Sequence, residues 1–254
     1  MDYYKYKLLR VSSEDKIAAS QSNTDFSIDI SKITHPAKDK CIGVSLIECA
    51  FENFIYNVRA GINDTLSIQE NGQARQNITI PEGYYNFNDI VTKLTADINT
   101  ALTGGTVAIT DNTYNKKFVF TFTGTTCKVI VDNISNLSNT LGFTTTTPTF
   151  AAVITADKLF RLSGAQQAYL ECKQFGRGHL FDSKNNNRRD VLNVIPINSA
   201  FGTTVFYSNP NHNDRITWTP PRQFNTLDFR LTNGDGQPFD IQLSHLKLII
   251  ALLY

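Results

Sequence analysis

The last stretch of the chain, residues 224–254, sets what the rest has to build. Leu227, Phe229 and Leu231 alternate with Asp228 and Arg230, the period-two pattern of a half-buried strand. The cluster Asn233-Gly234-Asp235-Gly236 follows. Glycine takes positive φ without a Cβ clash, so a tight reversal is expected there. Beyond Pro238, Leu246, Leu248, Ile250, Leu252 and Tyr254 share one parity while Ile249, Ala251 and Leu253 fill the other. A strand that is apolar on both faces belongs inside a sheet covered on both sides. Residues 224–231 and 246–254 therefore read as a closing hairpin. Everything upstream has to supply the walls around its final strand.

Upstream, the chain is mostly short strands. Its 254 residues are 41% hydrophobic, enough for a sizeable core in one large β-domain or a β-domain with an insertion. Only 19% are charged, below the usual quarter or so, and Asn, Thr and Ser carry much of the polarity. That balance suits strands and turns. A net charge of +1 gives no support to nonspecific nucleic-acid binding. Met1 is the sole methionine and is expected to be the start. The residues after it contain no apolar core of a signal peptide. No run approaches the ~20 apolar residues of a membrane-spanning helix.

Residues 1–24 read as an N-terminal arm lying on a neighbouring subunit, sticky at Tyr3, Tyr4, Tyr6, Leu8 and Leu9 and polar from Ser12 onward. A first strand followed by a loop is the other reading. Strands are expected at residues 25–30, 41–50 and 65–70, and Asn71-Gly72 signals a hairpin return through residues 76–80. Pro81-Glu82-Gly83 then breaks the pattern, and the one clear helix follows. Asn86 or Asn88 is placed to cap it, and Phe87, Ile90, Val91, Leu94, Ile98, Ala101 and Leu102 share one face. Gly104-Gly105 ends it. Three short strands and Leu141-Gly142-Phe143 complete an α+β module over residues 78–143. The four threonines Thr144 to Thr147 and Pro148 read as a polar link back to the main domain. The pattern thus predicts a mainly β chain. Residues 25–77 and 144–254 form an antiparallel jelly-roll sandwich, and residues 78–143 are inserted in it.

Candidate chemistry is sparse. His35, His179, His212 and His245 lack metal-ligand spacing. Asn211-His212-Asn213-Asp214 reads as a turn cluster rather than a catalytic dyad. Cys41, Cys49, Cys127 and Cys172 show no C-x-x-C pair and are expected to be reduced core residues. Cys41 and Cys49 fall on one strand, too far apart to bridge. No G-x-S-x-G elbow and no paired carboxylates stand out, and Gly176-Arg177-Gly178 is too short for a phosphate loop. Lys184 to Arg189 form a basic loop. It lacks the interleaved aromatics of a nucleic-acid platform and reads as solvated. No catalytic, metal or cofactor residues are assigned, and no cofactor is expected.

Three groups of residues carry a resemblance. The closing stretch runs from Phe224 to Leu231, through Asn233-Gly234-Asp235-Gly236-Gln237-Pro238, to Leu246-Lys247-Leu248-Ile249-Ile250. Ile80-Pro81-Glu82-Gly83-Tyr84-Tyr85, the helical run and Leu141-Gly142-Phe143 come in the order seen in virion proteins of one lineage. Tyr169-Leu170-Glu171-Cys172 and the run Asp190 to Ile197 follow in turn. Together they resemble the penton, or minor capsid, proteins of virophages and Polinton-like viruses. Trp218-Thr219-Pro220 departs from the Tyr-x-Pro common at that place.

The resemblance implies a jelly-roll virion protein without enzymatic activity, made in the host cell without a signal peptide. It would form homopentamers at the five-fold vertices of an icosahedral double-stranded DNA capsid. Its partners would be itself and the major capsid protein, with host-surface contact through the inserted module. Two other classes stay open on the residues alone. One is a carbohydrate- or receptor-binding β-sandwich of a virion spike. The other is a cupin-like enzyme, which needs clustered metal ligands that the spacing does not offer.

Overall fold

The computed structural model describes residues 5–19, 21–32, 40–112, 114–175, 180–182, 187–209 and 216–254. The chain divides into two compact units. Unit 1 is Met1–Ile55 with Ala165–Tyr254, and unit 2 is Tyr56–Gly164.

Unit 1 carries β1 (Tyr6–Ser12), β2 (Asp25–Asp29) and β3 (Cys41–Glu52) before the interruption. After it come β10 (Gln167–Cys172), β11 (Leu180–Asp182), β12 (Asn187–Arg189), β13 (Val191–Pro196), β14 (Thr204–Ser208), β15 (Thr217–Arg222), β16 (Thr226–Thr232) and β17 (Lys247–Leu253). Two antiparallel sheets result. Sheet A runs β1-β17-β3-β14, with β15 also on β3; sheet B runs β13-β10-β16-β2. β14 pairs with residues 48–52 of β3 and β15 with residues 41–44, so the two share one edge as a single interrupted strand. Counted that way, and with the β11–β12 hairpin set aside as a loop, the orders are 1-8-3-6 and 2-7-4-5. That interleaving is the jelly roll.

The core lies between the sheets. Leu9, Val11, Leu46, Cys49, Leu248, Ile250 and Leu252 face inward from sheet A. Phe26, Ile28, Leu170, Ile195, Leu227, Phe229 and Leu231 meet them from sheet B. Phe26 and Phe229 are register partners with ring centroids 5.9 Å apart. Each such buried side chain contributes about 1.5–3 kcal/mol. Two polar groups caught inside are matched. Thr24 Oγ1 donates to the Phe239 carbonyl at 2.6 Å, and Asn193 Nδ2 to Tyr207 Oη at 2.8 Å.

β17 lies inside sheet A as its composition requires, paired along its length with β1 on one side and β3 on the other. It does not form a hairpin with β16, because the two strands belong to different sheets. The expected reversal is present. Asn233 Oδ1 accepts from the N–H groups of Asp235 and Gln237 at 2.9 and 3.0 Å, and Gly236 sits at φ 77°. The chain then crosses between the sheets, burying Phe239, Ile241 and Leu246. Fourteen residues between strands are too many for a tight hairpin and enough for that crossing.

The arm reading of residues 1–24 is corrected. Tyr6–Ser12 is an intrinsic strand, held to β17 over seven residue pairs with Leu9 and Val11 in the core.

Unit 2 contains β4 (Thr65–Glu70), β5 (Arg75–Thr79), α1 (Phe87–Ala101), β6 (Thr106–Asp111), β7 (Phe118–Thr123), β8 (Cys127–Ile130) and β9 (Val153–Thr155). Its sheets are β5-β4-β8 and β6-β7-β9. Asn86 caps α1 through a capping box with Asp89, and Ile90, Leu94 and Ile98 are its buried stripe. Phe118, Phe120 and Phe143 fill the centre.

The boundaries differ from residues 78–143 on both sides. β4 and β5 pair with β8 and β9 pairs with β7, which ties them to unit 2. The threonine run also lies inside unit 2 rather than linking domains. Thr147 N–H donates to Val129 O at 3.0 Å, and Thr146 Oγ1 accepts from Val131 N–H at 2.8 Å.

Candidate assembly surface

In an antiparallel sheet, register partners lie on the same face. On the outer face of sheet A this places Tyr6, Leu253, Gly43 and Trp218 in one row across four strands. The next row holds Leu8, Ala251 and Ser45; further along, Phe206 stands opposite Ala50 beside Lys247. Tyr6, Leu8, Phe206 and Trp218 are 57%, 60%, 59% and 47% exposed. These four stand on the edge strands of the sheet, and between them Leu253, Ala251 and Ser45 are buried. Arg10 and Lys247 share this face with Glu48 and with Glu52, the register partner of Thr204, so two cations stand against two carboxylates.

Sheet B differs. Its outer face presents Asp25 and Asp29 from β2, Asp228 and Arg230 from β16 and Glu171 from β10. Arg230 stands in register between Asp25 and Glu171, with its Nε 3.4 Å from Asp25 Oδ2. Four carboxylates against one guanidinium leave that face acidic.

The residues singled out from the sequence fall elsewhere. His35, His179, His212 and the turn cluster 211–214 lie outside the described residues, as do Gly176-Arg177-Gly178 and the loop tip 183–186. The backbone of Asn187–Arg189, the end of the basic loop, pairs with Leu180–Asp182. His245 sits with Nδ1 3.4 Å from Ser13 Oγ and Nε2 3.7 Å from Glu14 Oε1. All four cysteines are buried and unbridged. Burial pushes the Cys41 and Cys127 thiols up to about 11 and Cys172 to about 12, and raises Cys49 as well. Such thiols stay protonated and inert. Among the described residues no three metal-ligating side chains cluster, and no helix is long and apolar enough to cross a membrane.

Sequence reasoning saw the apolar start of the chain but missed Phe206 and Trp218. Their signal was alternation within Thr204–Ser208 and at Trp218, hidden by the prolines that follow.

Strand order and outer faces define a single jelly roll with an inserted α+β unit and a partly apolar outward sheet. No protein-family model and no curated protein sequence matches the chain. Among solved structures, its fold is similar to that of the mavirus penton protein, with a TM-score of 0.55 at 15% identity. The likeness covers 98% of this chain and 100% of that one. The class of protein resembled by the sequence motifs and by the fold is thus the same.

Proposed function

We propose that this chain is a structural, non-enzymatic capsid subunit of the penton type. In this reading it forms homopentamers at the five-fold vertices of an icosahedral double-stranded DNA virus and contacts that virus's major capsid protein. Unit 2 supplies surface for host contact. The observation that supports the reading is the end-to-end fold likeness, which takes in both units and not the jelly roll alone.

A ring closed by rotation uses a heterologous contact, one face of a subunit against a different face of the next. The two outer faces of unit 1 suit that rule, being partly apolar with balanced charge on sheet A and acidic on sheet B. The next copy's sheet B is therefore the occupant assigned to the face bearing Leu8 and Trp218. Light scattering coupled to size exclusion tests the reading. The expected result is a species of about five chains, alone or with the major capsid protein present. A protein that stays monomeric in both conditions overturns it. Charge reversal gives a second check. Arg10→Glu with Lys247→Glu should abolish the ring, and adding Asp29→Lys with Asp228→Lys should restore it.

A further inference from the structure

Unit 2 holds an open pocket of about 370 Å³ lined by Asn139, Thr140, Thr144, Lys158, Leu159 and Arg161. Two chain segments form it, and both are fixed. Lys158 N–H donates to Gly142 O at 2.9 Å, and Arg161 N–H to Thr140 O at 2.8 Å. Gly142 makes the approach possible. It sits at φ 87°, and a Cβ there would lie 2.3 Å from the Lys158 carbonyl oxygen. The two cations are thereby brought to one rim of the pocket, three residues apart on one segment.

The neighbouring carboxylate is turned to other work. Asp157 Oδ2 accepts from the N–H groups of Thr144 and Thr145 at 3.0 and 3.2 Å, and from their hydroxyls at 3.3 and 3.1 Å. Among the described residues, neither Lys158 nor Arg161 has an ion-pair partner. The pocket thus combines two cations outside any ion pair, with the Asp157 carboxylate bonded to Thr144 beside them, amide and hydroxyl groups, and the apolar side chain of Leu159, 59% exposed.

We propose that this pocket binds an acidic saccharide, one sugar unit bearing a carboxylate or a sulfate. Arg161 and Lys158 would take the anionic group, since a guanidinium meets two oxygens of a carboxylate or a tetrahedral oxyanion through paired hydrogen bonds. Asn139 and Thr140 would take ring hydroxyls, Thr144 would accept from one through its remaining lone pair, and Leu159 would lie against an apolar sugar face. The volume is near the small end of ligand pockets, which suits one residue of a glycan and leaves room beyond a bare inorganic anion. Nucleic acid is a poorer fit because no aromatic ring lines the pocket for base stacking. The expected Kd for one sugar unit at one open site is on the order of a millimolar, or about −4 kcal/mol.

The proposal does not depend on the capsid reading, and the two are measured separately. Ligand-observed NMR on the full chain would use sialyllactose, sulfated lactose and neutral lactose as probes, with inorganic sulfate added as a competitor whose affinity is read from the loss of the acidic-sugar signal. Saturation transfer is expected to one or both acidic sugars, and at least tenfold weaker to neutral lactose. Arg161→Glu and Lys158→Glu should each remove the signal, while thermal unfolding and the oligomeric state stay as in the parent. Because both side chains are exposed, the variants are expected to fold. Equal binding of neutral and acidic lactose overturns the proposal, as does undiminished binding by the Arg161→Glu variant or the absence of any acidic-sugar signal at millimolar concentration. Sulfate ion binding as tightly as the acidic sugars would reduce the pocket to an anion site and also overturn it.

Discussion

Trp218 lies directly across the sheet from Gly43, its Cε3 3.4 Å from where a Gly43 Cβ would stand. That same Cβ would come within 2.9 Å of Ile216 Cγ2 and 3.3 Å of the Thr217 carbonyl oxygen. Glycine at 43 therefore lets β15 sit close on the edge of β3 and fixes where the indole is presented. Gly43→Val should push β15 outward and cost about 1–3 kcal/mol, as overpacking does. Trp218 is the only tryptophan, so its fluorescence reports on this face without labelling. Its emission should shift to the blue when subunits associate, and in the Gly43→Val variant that shift should be lost. An unchanged emission in assembled protein would remove Trp218 from the contact.

β1 separates fold from assembly along one strand. Leu9 is buried in the core, and Leu8 points outward at 60% exposure. Leu9→Ala should cost about 2–4 kcal/mol in urea unfolding of the unassembled chain. Leu8→Ala should change that stability by less than about 0.5 kcal/mol while weakening self-association. Removing residues 1–12 would strip β17 of its partner on that side, and loss of soluble folding is expected.

Glu70 gives unit 2 an acid sensitivity. Its carboxylate accepts from Thr103 N–H at 2.9 Å, Thr103 Oγ1 at 2.8 Å and Gly104 N–H at 3.0 Å, fastening the turn after α1 to the end of β4. The Thr103 N–H, followed by the Thr125 and Thr103 hydroxyls, holds it down at about 2 against an ordinary 4.5. A depressed carboxylate favours the folded state above its unfolded pKa, and that stabilisation drains away as pH falls from about 4.5 toward about 2. Glu70→Gln should lower unit 2 stability by about 1.5–3 kcal/mol at neutral pH, the range for hydrogen bonds to a charged group. The gap between variant and parent should close on acidification. A pH-independent gap in thermal melts would mean that packing, not charge, carries the effect.

Much of the local structure is legible in the residues because it is a matter of period and turn chemistry. The alternation at Asp25–Asp29, the Asn71-Gly72 turn and the stripe Ile90, Leu94, Ile98 each mark their element directly. Sheet membership is not legible in that way. Thr65–Glu70 alternates identically whether it joins the jelly roll or pairs with Cys127–Ile130. The threonines at 144–147 resemble a link because their bonds to Val129, Val131 and Asp157 are made far along the chain. Pro220 and Pro221 suggest a break. On an edge strand that shifts register between Trp218 and Arg222, they are tolerated. The pocket rim was invisible for a similar reason, since it exists only where Gly142 meets Lys158.

The corrected boundaries change what a deletion should do. Cutting out residues 78–143 would remove β8 from β4 and strip most of the core shared by Leu66 and Ile68, both fully buried. Two apolar β4 side chains would be left without cover, and an insoluble product is expected. Replacing residues 56–164 with a short Gly/Ser link instead removes the whole of unit 2 with its own core. Both ends of that cut join strands of unit 1, β3 and β10, and the cost of closing a loop there grows only logarithmically with length. The excised chain should remain folded, with the far-ultraviolet spectrum of an all-β protein lacking the helix α1. It should also keep forming rings if the outer faces of sheets A and B carry the contact. A folded product that no longer assembles would move the contact to unit 2. A product that fails to fold would show that unit 1 draws stability from the insertion.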